Sequence, residues 1–181
     1  MDSIDLHRIE RRARLRYEWA RTWRALLGLA PIWIIIGLAC AFTHRPSLAI
    51  SFGLAAFVMG AVMLWYGRDV KRGVLPGLAA GMVPLLFALC ANHVNHVCTG
   101  SSCMTLCMPA CVVGGIVAGL AVAAIGHRRQ AGAGFWLGAS AMAVLVGAMG
   151  CSCIGYAGVV GVAIGYAAGI VPSLLRKMFS A

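Results

Sequence analysis

Apolar residues in this chain run on in long, nearly uninterrupted stretches, and short clusters of charge cut the stretches apart. A helix that crosses about 30 Å of hydrocarbon needs roughly 17–25 predominantly apolar residues. Six runs approach or meet that length: Ala25–Thr43, Ser47–Tyr66, Val74–Val94, Pro109–Ile125, Gly134–Gly150 and Ile154–Leu175. The pattern predicts an all-α, polytopic membrane protein whose six transmembrane helices occupy residues 25–175. The fourth and fifth runs are short, so they are expected to stand nearly upright or to thin the bilayer locally.

Residues 1–24 have a different texture. Leu6, Ile9, Ala13, Tyr17 and Ala20 recur at three- and four-residue steps, with arginines around them. That spacing predicts a short amphipathic, basic helix. Asp2 or Ser3 can cap it, and Trp19 and Trp23 lead into the first apolar run. Two roles suit it. It can lie in the interface, with tryptophans at headgroup depth and arginines on anionic lipid. It can also dock a cytoplasmic protein partner through Arg8, Arg11, Arg12, Arg16 and Trp19. The Gly37-Leu38-Ala39-Cys40 tetrapeptide looks loosely like a lipoprotein cleavage site, but its leucine is one place off. The first run is therefore expected to be a retained span.

Charge orients the spans. Of the 15 lysines and arginines, all but Arg45 fall before the first run or after the second, fourth and sixth. These segments share one side if the runs all cross, and basic excess marks the cytoplasmic side. Both termini are then cytoplasmic, with residues 176–181 as an inner tail, and a bacterial-type inner membrane is the expected location. The five acidic residues, Asp2, Asp5, Glu10, Glu18 and Asp69, lie on that inner side as well. No run contains a carboxylate, which argues against a proton- or sodium-coupled transporter.

Composition agrees with this reading. The chain is 61% hydrophobic and 11% charged, against about a quarter charged in soluble domains. The net charge of +10 is therefore read as topology first. No zinc-finger or RNA-binding signature accompanies it, so a nucleic-acid partner is not expected. Glycine recurs every four residues at Gly161, Gly165 and Gly169, and again at Gly115 and Gly119. Such faces allow close helix packing in lipid, within one chain or through the sixth span of a homo-oligomer.

The candidate chemistry is concentrated in sulfur. All eight cysteines fall in the predicted outer half. Cys40 and Cys90 lie near the outer ends of the first and third runs. Cys98, Cys103, Cys107 and Cys111 lie in the outer loop, 91–111, and at the start of the fourth run. Cys151 and Cys153 sit between the last two runs. Structural disulfides are one reading, suited to an oxidising compartment, although eight cysteines allow 105 pairings. A redox or soft-metal site is the other. Cys103, Cys107 and Cys111 would form one stripe of a helix beside Met104 and Met108, although Pro109 is expected to break that helix at Met108. Thiolates select copper or zinc, and His93 and His96 could join them. Without outer carboxylates, calcium and magnesium sites are not expected.

No base, nucleophile and orienting group accompany one another, so the chain is not expected to be an enzyme. The leading expectation is a membrane sensor or regulator. Its outer cysteines and histidines would respond to redox state or a soft metal ion and signal through the N-terminal helix. This layout is similar in outline to six-span membrane anti-sigma factors, whose short inner segment holds the sigma factor. A transporter or channel for a soft metal or small thiol is an alternative reading. So is a structural or accessory subunit with structural disulfides.

Overall fold

The computed structural model describes residues 3–42, 46–66, 69–94, 101–152 and 155–179, and among them there are helices and no strand. In chain order the helices are α1 (Ser3–Phe42), α2 (Pro46–Tyr66), α3 (Lys71–Val94), α4 (Ser101–Arg128), α5 (Ala133–Cys151) and α6 (Tyr156–Phe179). Five of them, α2 to α6, contain stretches long and apolar enough to cross a membrane, and α1 carries a shorter apolar stretch, Leu26–Ala41.

Two helices differ from expectation. The N-terminal segment is continuous with the first apolar run in one 40-residue helix, α1, about 60 Å long at 1.5 Å per residue. No glycine precedes Gly28 and no proline precedes Pro31, so good helix formers such as alanine, leucine, arginine and glutamate carry the helix through the polar–apolar junction. Residues 12–20 are exposed on every side, including Tyr17 and the rest of the described apolar stripe. Leu6, Ile9, Arg8 and Arg11 have side chains outside the described residues. The second difference is α4, which passes through Pro109 without a break. Pro109 is itself exposed, and proline removes one backbone donor. Cys107 and Cys111, one turn apart on either side of that point, are both buried, and packing of that kind lets membrane helices carry a proline. At 28 residues α4 is also not short.

Small residues decide how the helices meet. On α2, Ala49, Gly53, Ala56 and Gly60 are buried and form one face. Ile36 and Leu29 of α1 pack there, with Met149 and Met142 of α5 beside them. Gly77 of α3 lies so close to α5 that a Cβ on it would stand 2.5 Å from Ala139 O, and one on Gly81 would stand 2.8 Å from Ala143 O. These contacts climb both helices in step, so α3 and α5 run parallel. Gly115 and Gly119 of α4 meet Val162, Tyr166 and Gly169 of α6 in the same order, so α4 and α6 are also parallel. Pro84 of α3 fills the space that Gly114 of α4 and Gly147 of α5 leave empty.

Two large apolar cores result. One joins α1, α2, α3 and α5 around Leu29, Ile32, Leu85, Met142 and Met149; the other joins α3 to α6 around Val122, Phe135, Ala139 and Tyr166. Large apolar side chains also face outward along each helix, among them Leu54, Val58, Leu120, Val160 and Ile164. An apolar interior with an equally apolar exterior is the signature of a bundle solvated by lipid. By length and composition, five of its helices are those of a membrane protein.

The turn between α4 and α5 is closed by backbone hydrogen bonds. Ala131 N–H donates to Gly126 O at 3.0 Å and Gln130 N–H donates to His127 O at 3.1 Å, with Gln130 at φ 46°. This is a Schellman cap with glutamine at the left-handed position that glycine usually takes. Trp136 locks it: its Nε1–H donates to Ala131 O at 3.2 Å, and its ring lies over Gly126.

Candidate functional site at the cysteine end of the bundle

Helix α4 starts, and α5 ends, at the same end of the bundle, because these neighbours run antiparallel. That direction brings Cys111, in the third turn of α4, to Cys151, the last residue of α5. They form a disulfide with Cα atoms 6.2 Å apart, closing a sequence separation of 40. Both cysteines are 0% exposed and pack with Ala88 of α3 and Val162 of α6.

The first turns of α6 cover the bridge. A Cβ on Gly158 would stand 3.2 Å from Cys151 Cβ, and one on Gly161 would stand 3.9 Å from Cys111 Cβ. The connection that allows this is tight. Ser152 Oγ donates to Met149 O at 2.7 Å, and Gly155 N–H donates to Ser152 O at 2.9 Å. Gly155 takes φ 81°, a left-handed conformation that suits glycine. A side chain at 155 would be strained, and one at 158 would collide with Cys151 O.

Among the described residues, three further cysteines carry free thiols. Cys107 lies one helical turn before Cys111 on α4 and is 4% exposed. Cys40 is half-buried near the end of α1, against the first core, and Cys90 is exposed on α3. Cys103 and His93 lie on helices but their side chains fall outside the described residues, as do Cys98, His96 and Cys153 altogether. The structure thus brings Cys111 and Cys151 into a bond with Cys107 on the same stripe as Cys111. Among the described residues no group of three or more metal-ligating side chains comes together.

Of the glycines singled out in the sequence, Gly115, Gly119, Gly165 and Gly169 form the seam between α4 and α6, where a Cβ on Gly115 would stand 2.5 Å from Val162 O. Gly161 is looser, with nothing nearer than Val112 Cγ2 at 3.6 Å from a Cβ placed there. The glycine face of α6 is covered by α4, so a second copy would have to meet another surface. Arg12, Arg16 and Trp19 are exposed on α1.

Other contributors emerge from the packing. Met149 lies two residues before Cys151, is fully buried, and touches the α2 face at Gly53, where Ile36 of α1 also packs. Its place as a methionine within an apolar run, close to Cys151, was its signal in the sequence. Tyr166 Oη donates to Ser140 Oγ at 3.0 Å, a polar bond from α6 to α5 inside the bundle. Comparison with family models, curated proteins and solved structures finds no match to this chain.

Proposed function

We propose that the protein is a redox-responsive membrane regulator: the Cys111–Cys151 bridge senses, and the N-terminal part of α1 is the output. In this reading six helices span the membrane, both termini are cytoplasmic, and the bridge lies on the extracytoplasmic side of a bacterial-type inner membrane. The observation that carries it is a bond that ties α4 to α5 two residues beyond Met149, the α5 side chain that reaches the α1–α2 contact. Cys151 ends the same turn as Met149, Met149 packs on α2 beside Ile36, and Ile36 belongs to the unbroken helix that carries Arg12, Arg16 and Trp19.

The chemistry is two-electron thiol–disulfide exchange. A thiolate from a dithiol reductant attacks one bridge sulfur and forms a mixed disulfide; its second thiol then releases the protein, leaving two protein thiols and an oxidised reductant. Loss of the cross-link frees the last turn of α5. In the chain-entropy description, a bridge over a separation of 40 is worth up to about 4 kcal/mol. Allosteric coupling typically requires about 1–3 kcal/mol, so the bridge is large enough to bias a two-state bundle. The exposed arginines and Trp19 then engage or release a cytoplasmic protein partner.

Hydrogen–deuterium exchange on the full chain in lipid nanodiscs tests this reading. Exchange in residues 12–24 should change when the bridge is reduced, and Cys151→Ser should lock in the reduced pattern with or without reductant. Identical exchange in both redox states, with thiol counting showing that the bridge had opened, would refute the reading.

A further inference from the structure

The opposite end of the bundle holds a concentration of positive charge that the redox reading does not use. Lys71 and Arg72 open α3, and Arg128 and Arg129 lie at the end of α4. Because α3 and α4 are antiparallel neighbours, the four cations line one cleft of about 550 Å³, and its remaining walls include Leu75, Pro76, Ala79 and Ile125. Among the described residues no carboxylate lines it. Asp69 belongs to an adjoining cleft of about 340 Å³, which shares Arg72 and Arg129. Like charges gathered this closely repel one another, and an anion between them relieves that repulsion.

The depth of the cleft narrows the choice of anion. The apolar stretch Lys71–Cys90 begins at these cations and the stretch Cys107–Arg128 ends at them, so the mouth lies at the edge of the hydrocarbon. From there an apolar lane climbs the outward face of α3 through Leu75, Ala79, Met82 and Leu86, at steps of three and four residues. Leu75 is 62% exposed and Leu86 47% exposed. A cationic pocket that continues into an exposed apolar lane matches an amphiphile with a phosphate head and an acyl tail. A free phosphate would use the pocket and leave the lane without a role.

We infer that this cleft binds an anionic phospholipid, its phosphate between the α3 and α4 cations and one acyl chain along the α3 lane. Guanidinium groups suit phosphate oxygens because their donors are arranged as a fork. The site differs from general attraction to a charged surface in that its cations come from two helix ends fixed by tertiary packing.

Native mass spectrometry of the full chain in detergent tests this with phosphatidylglycerol and phosphatidylcholine of identical acyl chains. Phosphatidylglycerol should be retained in preference. Replacing one cation from each helix, Arg72→Gln with Arg128→Gln, should weaken that retention about twenty-five-fold, at about fivefold per basic residue, and leave phosphatidylcholine unchanged. Arg176→Gln with Lys177→Gln removes the same charge from residues outside the cleft lining and should keep the preference. Millimolar inorganic phosphate should not displace the lipid. Equal binding of the two lipids, equal loss in both double variants, or displacement by inorganic phosphate would each overturn the assignment.

Discussion

Adding a single methyl group to the α4–α6 seam separates packing by backbone contact from packing by glycine content. In Gly115→Ala the new Cβ would stand 2.5 Å from Val162 O and 2.9 Å from Tyr166 N, against the 3.4 Å at which ordinary contact begins. The shortfall of about 0.9 Å against Val162 O falls on backbone atoms, so no side chain can rotate out of the way. The helices must part, and a gap of about 0.5–1 Å forfeits a quarter to a half of each nearby dispersion contact. Overpacking of this kind costs about 1–3 kcal/mol. Gly165→Ala should behave alike, since its Cβ runs into the Val112 carbonyl. Gly161 is the discriminating control. It lies on the same four-residue repeat, yet a Cβ there meets nothing closer than 3.6 Å. Gly161→Ala should be neutral or stabilising by about 0.5–1 kcal/mol, because alanine loses less backbone freedom. Gly37→Ala, with nothing within 4 Å, should match it. The assay is reversible unfolding in mixed micelles, followed by tryptophan fluorescence with the disulfide intact. Equal stability of Gly161→Ala and Gly165→Ala would refute the reasoning.

Three other outcomes are expected. Cys111→Ser, Cys151→Ser and the double variant should lose the same stability, up to about 4 kcal/mol. Each removes one bond, and non-additivity in the same unfolding assay is the check. Tyr166→Phe deletes the bond to Ser140 and should cost about 0.6 kcal/mol, the typical value for such bonds in membrane bundles; Ser140→Ala should cost no more once Tyr166 is already phenylalanine. Gln130→Gly should raise stability by about 1 kcal/mol, since φ 46° disfavours any side chain there. A lower unfolding midpoint would show that the glutamine makes a compensating contact.

Helix content was legible in the sequence because it is local. An apolar run of sufficient length, ended by glycine, proline or charge, specifies an element without reference to the rest of the chain. The predicted Ser47–Tyr66 and Gly134–Gly150 runs accordingly fall within a residue or so of α2 and α5. The concentration of cysteines near the run ends could be read in the same way. The boundary between residues 1–24 and the first run was misleading, because polarity changes there while helix propensity does not. Pro109 misled for the opposite reason: its local preference was read correctly, and packing overrode it.

What only the tertiary structure decided is which of these residues meet. The sequence allowed 105 cysteine pairings; the antiparallel direction of α4 and α5 brings Cys111 to Cys151 and leaves Cys107 buried and unpaired. A four-residue glycine repeat cannot reveal that Gly165 is pressed against a backbone and Gly161 is not, because that depends on the rotation and crossing of α4 and α6. The same holds for Arg72 and Arg128, which are distant in the chain and share a cleft. Propensity and hydropathy are properties of a segment; contacts between helices depend on direction, rotation and separation, which are set only when all the helices pack together.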